Sequence, residues 1–174
     1  TTSINPFIAA IPTNPLRALF PYGARPGMLN LASGHPSKDA YDLEGLAEAT
    51  ARASRDFSAW TYGSSAGDPA LINLLTETVA MLPPGKRLLV ASGAQQGIDL
   101  ALRTFAPPGS KVMVPEPVYP AVLSTCAAIG VIPVGYQIAA DDDELVEFAV
   151  RLQAAGDVRA VYALPTFGNP TGET

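Results

Sequence analysis

Residues 88–120, LLVASGAQQGIDLALRTFAPPGSKVMVPEPVYP, contain the alternation of apolar runs and helical spacing from which we predict the fold. Leu88–Ala91 and Lys111–Pro115 are short apolar runs typical of buried strands, and Gln95–Phe105 between them has helical spacing. We predict that the alternation continues through helices over 118–129 and 142–154 and strands over 131–136 and 159–164. Because parallel strands need crossover connections of this kind, the pattern predicts an α/β fold with a parallel sheet flanked by helices in three layers.

Upstream of this region the chain changes character. Proline and glycine are dense in residues 1–37, which argues against long regular elements there, so we expect an extended N-terminal arm. Asp42 is a suitable N-cap for a short amphipathic helix ending near Ala53. After the glycine-rich loop 62–67, Asp68-Pro69 opens a second helix as cap and first-turn proline.

Composition excludes several classes of function. The net charge is −5 and Lys and Arg do not cluster, which argues against nucleic-acid binding. A single cysteine, Cys126, and a single histidine, His35, exclude a disulfide framework, a Cys-rich zinc site and a His-pair metal site, so we expect no metal. Charged residues make up 16% of the chain, below the roughly 25% usual in soluble domains, which indicates apolar surface that a partner or further chain covers.

The N-terminal stretch and the lengths of the apolar runs predict where in the cell the protein is found. The first apolar stretch is interrupted by prolines and lacks a basic start, so we predict no signal peptide. Apolar runs also stay below the length that spans a membrane. We therefore expect a cytoplasmic protein.

Three loops that follow predicted strands carry the residues suited to chemistry, because ligands of open α/β sheets collect at the carboxyl ends of strands. Residues 92–97 place small residues before a helix, where free N–H groups bind anions. Tyr119 stands among prolines at 115–120 and offers a rigid aromatic face, and Asn169 in 165–172 offers an amide. Taken alone, the first two loops are equally consistent with structural roles, and for the Asn169 loop an ordinary turn is the more usual explanation. Together they suit a planar phosphorylated cofactor.

Five stretches resemble the class I aminotransferases, which are pyridoxal-phosphate enzymes of fold type I. They stand in the family's order and span nearly the whole chain: Asn30–Pro36, Tyr62–Gly67, Ala91–Gly97, Pro115–Pro120 and Asn169–Gly172. The branch most similar contains 2-aminoadipate, kynurenine and aromatic aminotransferases. The resemblance implies an N-terminal arm and small-domain segment over residues 1–40 and the first part of the cofactor-binding large domain over 41–174.

The resemblance also implies roles for individual residues. Gly93, Ala94 and Gln95 would bind the phosphate of pyridoxal 5′-phosphate, with Ala94 standing where many relatives have a hydroxyl residue. Tyr119 would stack on the cofactor ring, and Asn169 would hydrogen-bond its phenolic oxygen and lie near the substrate. In the family the bond before the proline of this motif is often cis, so we predict a cis peptide before Pro170.

Three further positions follow from the same resemblance. Gly34 and Tyr22 would line the substrate site. Gly34 would let the arm pass close to the substrate carboxylate, where a side chain would clash. Tyr62 would reach the phosphate bound by a neighbouring subunit, since active sites of the family lie at the interface of a homodimer. The small-molecule partners implied are an amino acid and a 2-oxo acid.

The catalytic lysine of the family has no counterpart in the chain. Lys38 follows the arm, Lys86 precedes a predicted strand, and Lys111 begins one at the end opposite the expected site. In the family the Schiff-base lysine lies beyond the Asn-Pro-Thr-Gly motif. We therefore expect an incomplete domain without a catalytic residue of its own, inactive alone and completed by the remaining C-terminal part of the same fold.

Two other interpretations remain open from the sequence. One is the cofactor-binding effector domain of a MocR-type transcriptional regulator, which would carry a DNA-binding region upstream. The other is a cofactor-free α/β domain that uses these loops only for structure.

Overall fold

The computed structural model describes residues 4–13, 15–29, 34, 36–78, 83, 85–137 and 142–172. Predictions that concern Asn30–Ser33, His35 and residues 79–82 lie outside these ranges. The helices are α1 (Pro6–Ala9), α2 (Pro15–Gly23), α3 (Leu43–Ala53), α4 (Pro69–Thr78), α5 (Ala94–Phe105), α6 (Pro120–Ile129) and α7 (Asp142–Ala155). The strands are β1 (Lys111–Pro115), β2 (Ile132–Tyr136) and β3 (Val158–Val161).

The chain divides into two compact units. One contains Thr1–Ala18 and Ser92–Thr174, and the other contains Leu19–Ala91. The first unit holds all three strands, together with the loops that contain Gly93, Tyr119 and Asn169. The second unit holds α3 and α4.

The sheet of the first unit is parallel, in the order β2-β1-β3. β1 is central and buried on both faces, as expected for a strand covered by helices on each side. Val112 and Val114 face α5 and α6, where they pack with Leu102, Val122 and Cys126. Tyr136 lies on the opposite face, because it pairs with Pro115 in register and side chains alternate along a strand. There its ring packs against Phe148 of α7, 4.8 Å away, so the predicted three layers are confirmed.

The second unit confirms both predicted helix starts. The Asp42 carboxylate accepts from the Gly45 N–H at 2.9 Å, and the Asp68 carboxylate accepts from the Leu71 N–H at 2.9 Å. Each bond satisfies one of the amide groups that the first turn of a helix leaves without a partner.

The predicted strand Leu88–Ala91 is wrong. These residues form no ladder within the part of the chain that the structure describes, and the Val90 N–H instead donates to the Ala66 carbonyl at 2.9 Å. An apolar run favours an extended backbone, but a strand also requires a neighbour to pair with. The three paired strands all belong to the other unit, so this run has no such neighbour there.

The arm is not extended throughout, because it contains α1 and α2. Two of the prolines, Pro6 and Pro15, stand at first-turn positions, where a missing N–H costs nothing, whereas Pro21 lies inside α2. Pro6 begins α1 behind Asn5, whose side chain accepts from the Phe7 N–H at 2.9 Å, and Pro15 begins α2.

Candidate cofactor site

The start of α5 presents free amide groups at an open surface. Gly93 precedes the helix with a φ of +90°, a conformation that side chains of L-residues rarely adopt. The Gly97 N–H makes the first helical bond, to the Gly93 carbonyl at 3.3 Å. The N–H groups of Ala94, Gln95 and Gln96 therefore have no helical acceptor, and no described side chain caps them.

Residues 92–96 are exposed among the residues that the structure describes. A Cβ built on Gly93 meets no described atom within 4 Å. Three uncapped amide donors at the positive end of a 12-residue helix therefore lie in an exposed stretch, which is the arrangement that binds a phosphate. The residues present fit the phosphate of the implied cofactor.

Two glutamine side chains hold this turn in place. The Gln96 carboxamide oxygen accepts from the Ser92 N–H at 2.5 Å, which ties the loop back onto the helix. The Gln95 amide donates to Thr125 Oγ1 at 2.5 Å and to the Ala121 carbonyl at 3.4 Å, both on α6. Because its side chain is used in this way, Gln95 offers an incoming anion its main-chain N–H.

The loop after β1 positions Tyr119 at the start of α6. Tyr119 is the N-cap residue, its carbonyl accepts from the Val122 N–H at 3.1 Å, and Pro120 follows at the first helical position. The side chain is 38% exposed, so part of the ring is available to a ligand. The Gln95 side chain bonds the first turns of the same helix. These bonds join the start of α5, with its free amides, to the helix that begins beside Tyr119.

The loop after β3 presents Asn169. The predicted cis peptide between Asn169 and Pro170 is confirmed, and the peptide between Glu116 and Pro117 is cis as well. Gly168 is buried and its carbonyl accepts from the Gly172 N–H at 2.5 Å, closing a tight turn around an exposed Asn169. Phe167 adopts a φ of +52°, in the left-handed region that non-glycine residues occupy at a cost of about 1–3 kcal/mol.

Two tyrosines that the sequence analysis did not single out connect these loops. The Tyr136 hydroxyl donates to the Tyr162 carbonyl at 3.0 Å. Burial, and secondarily the nearby Tyr119, raises the pKa of the Tyr162 phenol above its usual value. Both residues stand at or just after the carboxyl end of a strand. Because ligands of such sheets bind at this edge, that position in the sequence could have identified them as site residues.

The other three predicted site residues lie in the second unit. The Tyr62 side chain is fully exposed. Tyr22 is half-exposed, and the Arg25 guanidinium carbon lies 4.5 Å above the centre of its ring. At Gly34 a Cβ would meet no described atom within 4 Å. The roles assigned to these residues stay predictions.

Lys111 stands far from the strand-end loops. It begins β1, and its ammonium donates to the Ala155 carbonyl at the end of α7. Within the described ranges, acidic, histidine and cysteine side chains form no group able to hold a metal ion. In the same part of the chain no helix is long and apolar enough to cross a membrane.

Comparisons with known proteins relate this chain to a family of enzymes. The sequence profile of the family Aminotransferase class I and II matches residues 26–174. The chain is 30% identical over 168 residues to 2-aminoadipate transaminase of Thermus thermophilus, a match that covers 93% of this chain and 41% of that protein. It is 32% identical over 159 residues to aromatic-amino-acid aminotransferase 1 of Thermococcus litoralis, which covers 84% of this chain and 38% of that one.

A solved structure agrees in fold. The crystal structure of LysN, the α-aminoadipate aminotransferase of Thermus thermophilus, in complex with N-(5′-phosphopyridoxyl)-L-leucine, matches with a TM-score of 0.76 at 25% identity. The match covers 98% of this chain and 42% of LysN. The chain therefore spans about two-fifths of the length of the relatives it matches.

The parallel sheet and its flanking helices define an α/β protein of the pyridoxal-phosphate fold type I. With the profile match over most of its length, the chain belongs to the class I and II aminotransferase family. The comparisons lend no support to the regulator alternative.

Proposed function

We propose that the chain forms the first part of a pyridoxal-phosphate-dependent aminotransferase, which moves an amino group between an amino acid and a 2-oxo acid. The observation that carries this is the uncapped start of α5 behind Gly93, in a chain of this family. When bound, pyridoxal phosphate supplies an electron sink for the bonds at the substrate's α-carbon.

The residues of the first unit would bind and orient the cofactor. The N–H groups of Ala94, Gln95 and Gln96 would hold the phosphate, and Gly93 permits the turn that directs them toward it. Tyr119 would pack its ring against the pyridine ring. The Asn169 amide would donate to the phenolic oxygen and so favour its ionised form. The substrate carboxylate would pass close to Gly34 and the substrate side chain close to Tyr22.

Further features of the whole enzyme belong to the same proposal. The arm and small-domain segment would occupy residues 1–40, and the first part of the large domain 41–174. The enzyme would be a cytoplasmic homodimer in amino-acid biosynthesis, with Tyr62 reaching the partner subunit's phosphate site. Since Lys38, Lys86 and Lys111 do not match the family's Schiff-base lysine, the remaining part of the fold would supply it.

The activity is tested on the protein that includes the segment after the Asn-Pro-Thr-Gly motif. It is supplied with pyridoxal phosphate, a 2-oxo acid and either 2-aminoadipate or an aromatic amino acid, because two of its relatives are named for these substrates. We expect a new 2-oxo acid and an absorbance change of the bound cofactor when the amino donor alone is added. Absence of both with every amino donor would contradict the proposed activity.

A further inference from the structure

Tyr136 occupies a central place among the loops of the candidate site. It is the last residue of β2, is 8% exposed and packs its ring against Phe148. Neighbouring strands lie about 4.8 Å apart, so β2 and β3, with β1 between them, are separated by roughly 10 Å. The Tyr136 side chain crosses this distance and donates its hydroxyl hydrogen to the Tyr162 carbonyl at 3.0 Å.

The same residue also fixes the loop that contains Tyr119. The Tyr136 carbonyl accepts from the Glu116 N–H at 2.8 Å, at the point where this loop leaves β1. The Glu116 side chain lies over Gly135, where a Cβ would come within 2.5 Å of its carboxylate oxygen. The Glu116 side chain thus lies close over β2, beside Tyr136.

The Tyr162 carbonyl is the other end of the bridge. Tyr162 follows β3 directly, and its N–H donates to the Met113 carbonyl at 2.8 Å. Seven residues later the chain reaches Asn169. One buried residue thus bonds the start of the Tyr119 loop through its main-chain carbonyl and the start of the Asn169 loop through its side-chain hydroxyl.

We infer that Tyr136 is a positioning residue that sets the spacing between the Tyr119 ring and the Asn169 amide, and so the fit of the cofactor's pyridine ring. This rests on the proposed function, because the ring contacts of Tyr119 and Asn169 belong to it. The phosphate-binding amides of α5 are held by a different set of bonds, those of Gln95 and Gln96. A change at Tyr136 should therefore affect ring binding and spare phosphate binding.

The test compares two ligands on the protein that includes the segment after the Asn-Pro-Thr-Gly motif, freed of its cofactor. Pyridoxamine 5′-phosphate probes ring and phosphate together, and it lacks the aldehyde that reacts with surface lysines. Inorganic phosphate probes the amides alone. Tyr136→Phe keeps the ring that packs on Phe148 and removes only the hydroxyl. Its effect is measured by fluorescence titration with pyridoxamine phosphate, and by displacement of that ligand with inorganic phosphate.

We expect Tyr136→Phe to raise the Kd for pyridoxamine phosphate about two- to tenfold, the loss of one hydrogen bond, with the Kd for phosphate unchanged. Tyr41→Phe removes a hydroxyl from an exposed tyrosine and should change neither constant. Phe148→Leu loosens the packing of the Tyr136 ring without removing a hydroxyl, so it should lower the urea midpoint while preserving the ratio of the two constants.

Two results would overturn the inference, and they are distinguishable. If the unsubstituted protein binds pyridoxamine phosphate but Tyr136→Phe leaves both constants unchanged or raises them by the same factor, Tyr136 has no positioning role. If the unsubstituted protein binds neither ligand, the proposed function itself fails, and the inference fails with it.

Discussion

Substitution of Gly93 by alanine tests how the turn before α5 works. The residue has a φ of +90°, and a Cβ there would meet no described atom within 4 Å. The cost of alanine is therefore backbone strain and not a clash, and such strain is on the order of 1–3 kcal/mol. If the turn keeps its conformation, this strain lowers the free energy of unfolding. If it relaxes, the amides turn away and the strain instead weakens the binding of phosphate.

The loss of unfolding free energy and the loss of binding free energy should add up to the strain energy. We expect the loss of unfolding free energy from urea titration, added to the loss of binding free energy for pyridoxamine phosphate, to total about 1–3 kcal/mol. A change confined to binding would correspond to roughly a 5- to 150-fold rise in Kd.

Gly97→Ala is the matched control. Gly97 lies inside α5, and a Cβ there also meets no described atom within 4 Å. Alanine should raise the unfolding free energy by about 0.5–1 kcal/mol and leave the Kd unchanged. The reasoning about Gly93 is refuted if Gly93→Ala, like Gly97→Ala, costs neither stability nor affinity.

Three further predictions concern the first unit. Tyr119→Ala should weaken pyridoxamine phosphate about 2- to 10-fold through loss of ring packing, whereas Tyr119→Phe keeps the ring and the affinity; equal titration curves for the two variants would contradict stacking. Cys126 is fully buried, and burial raises the pKa of its thiol, so it should react with a thiol reagent only as fast as the unit unfolds; prompt reaction in native buffer would show otherwise. The pKa values of the Tyr136 and Tyr162 phenols are raised, mainly by burial. The stability that their neutral forms contribute is therefore complete below pH about 10 and is lost as the pH rises toward the folded-state pKa values. Urea midpoints measured from pH 8 to 11 should fall above pH about 10, and less steeply in Tyr136→Phe. Midpoints that do not change over this range would argue against this stabilisation.

The sequence predicted the elements whose signal is local. Lys111–Pro115 is a strand with the predicted bounds, and α5 starts one residue before its predicted start at Gln95. Asp42 and Asp68 cap their helices as expected, because capping depends on residues only three apart.

The misses depend on information that local sequence lacks. Leu88–Ala91 has the composition of a strand, but among the described residues of its own unit no strand lies beside it. The Gln95 amide bonds Thr125, 30 positions away, and the Tyr136 hydroxyl bonds Tyr162, 26 positions away. Neither contact follows from spacing, since both depend on how α6 and the strands pack. For the candidate site, the sequence therefore predicted three loops but not the contacts that hold those loops in place.

The most direct test of the proposed cofactor site is the binding of pyridoxamine 5′-phosphate to the protein that includes the segment after the Asn-Pro-Thr-Gly motif, freed of its cofactor. We expect saturable binding at a single site, competed by inorganic phosphate and much weaker for pyridoxamine, which lacks the phosphate. Tyr119→Ala and Gly93→Ala should each weaken it. Binding that does not saturate, or that is insensitive to phosphate and to both substitutions, would contradict a cofactor site built from these loops.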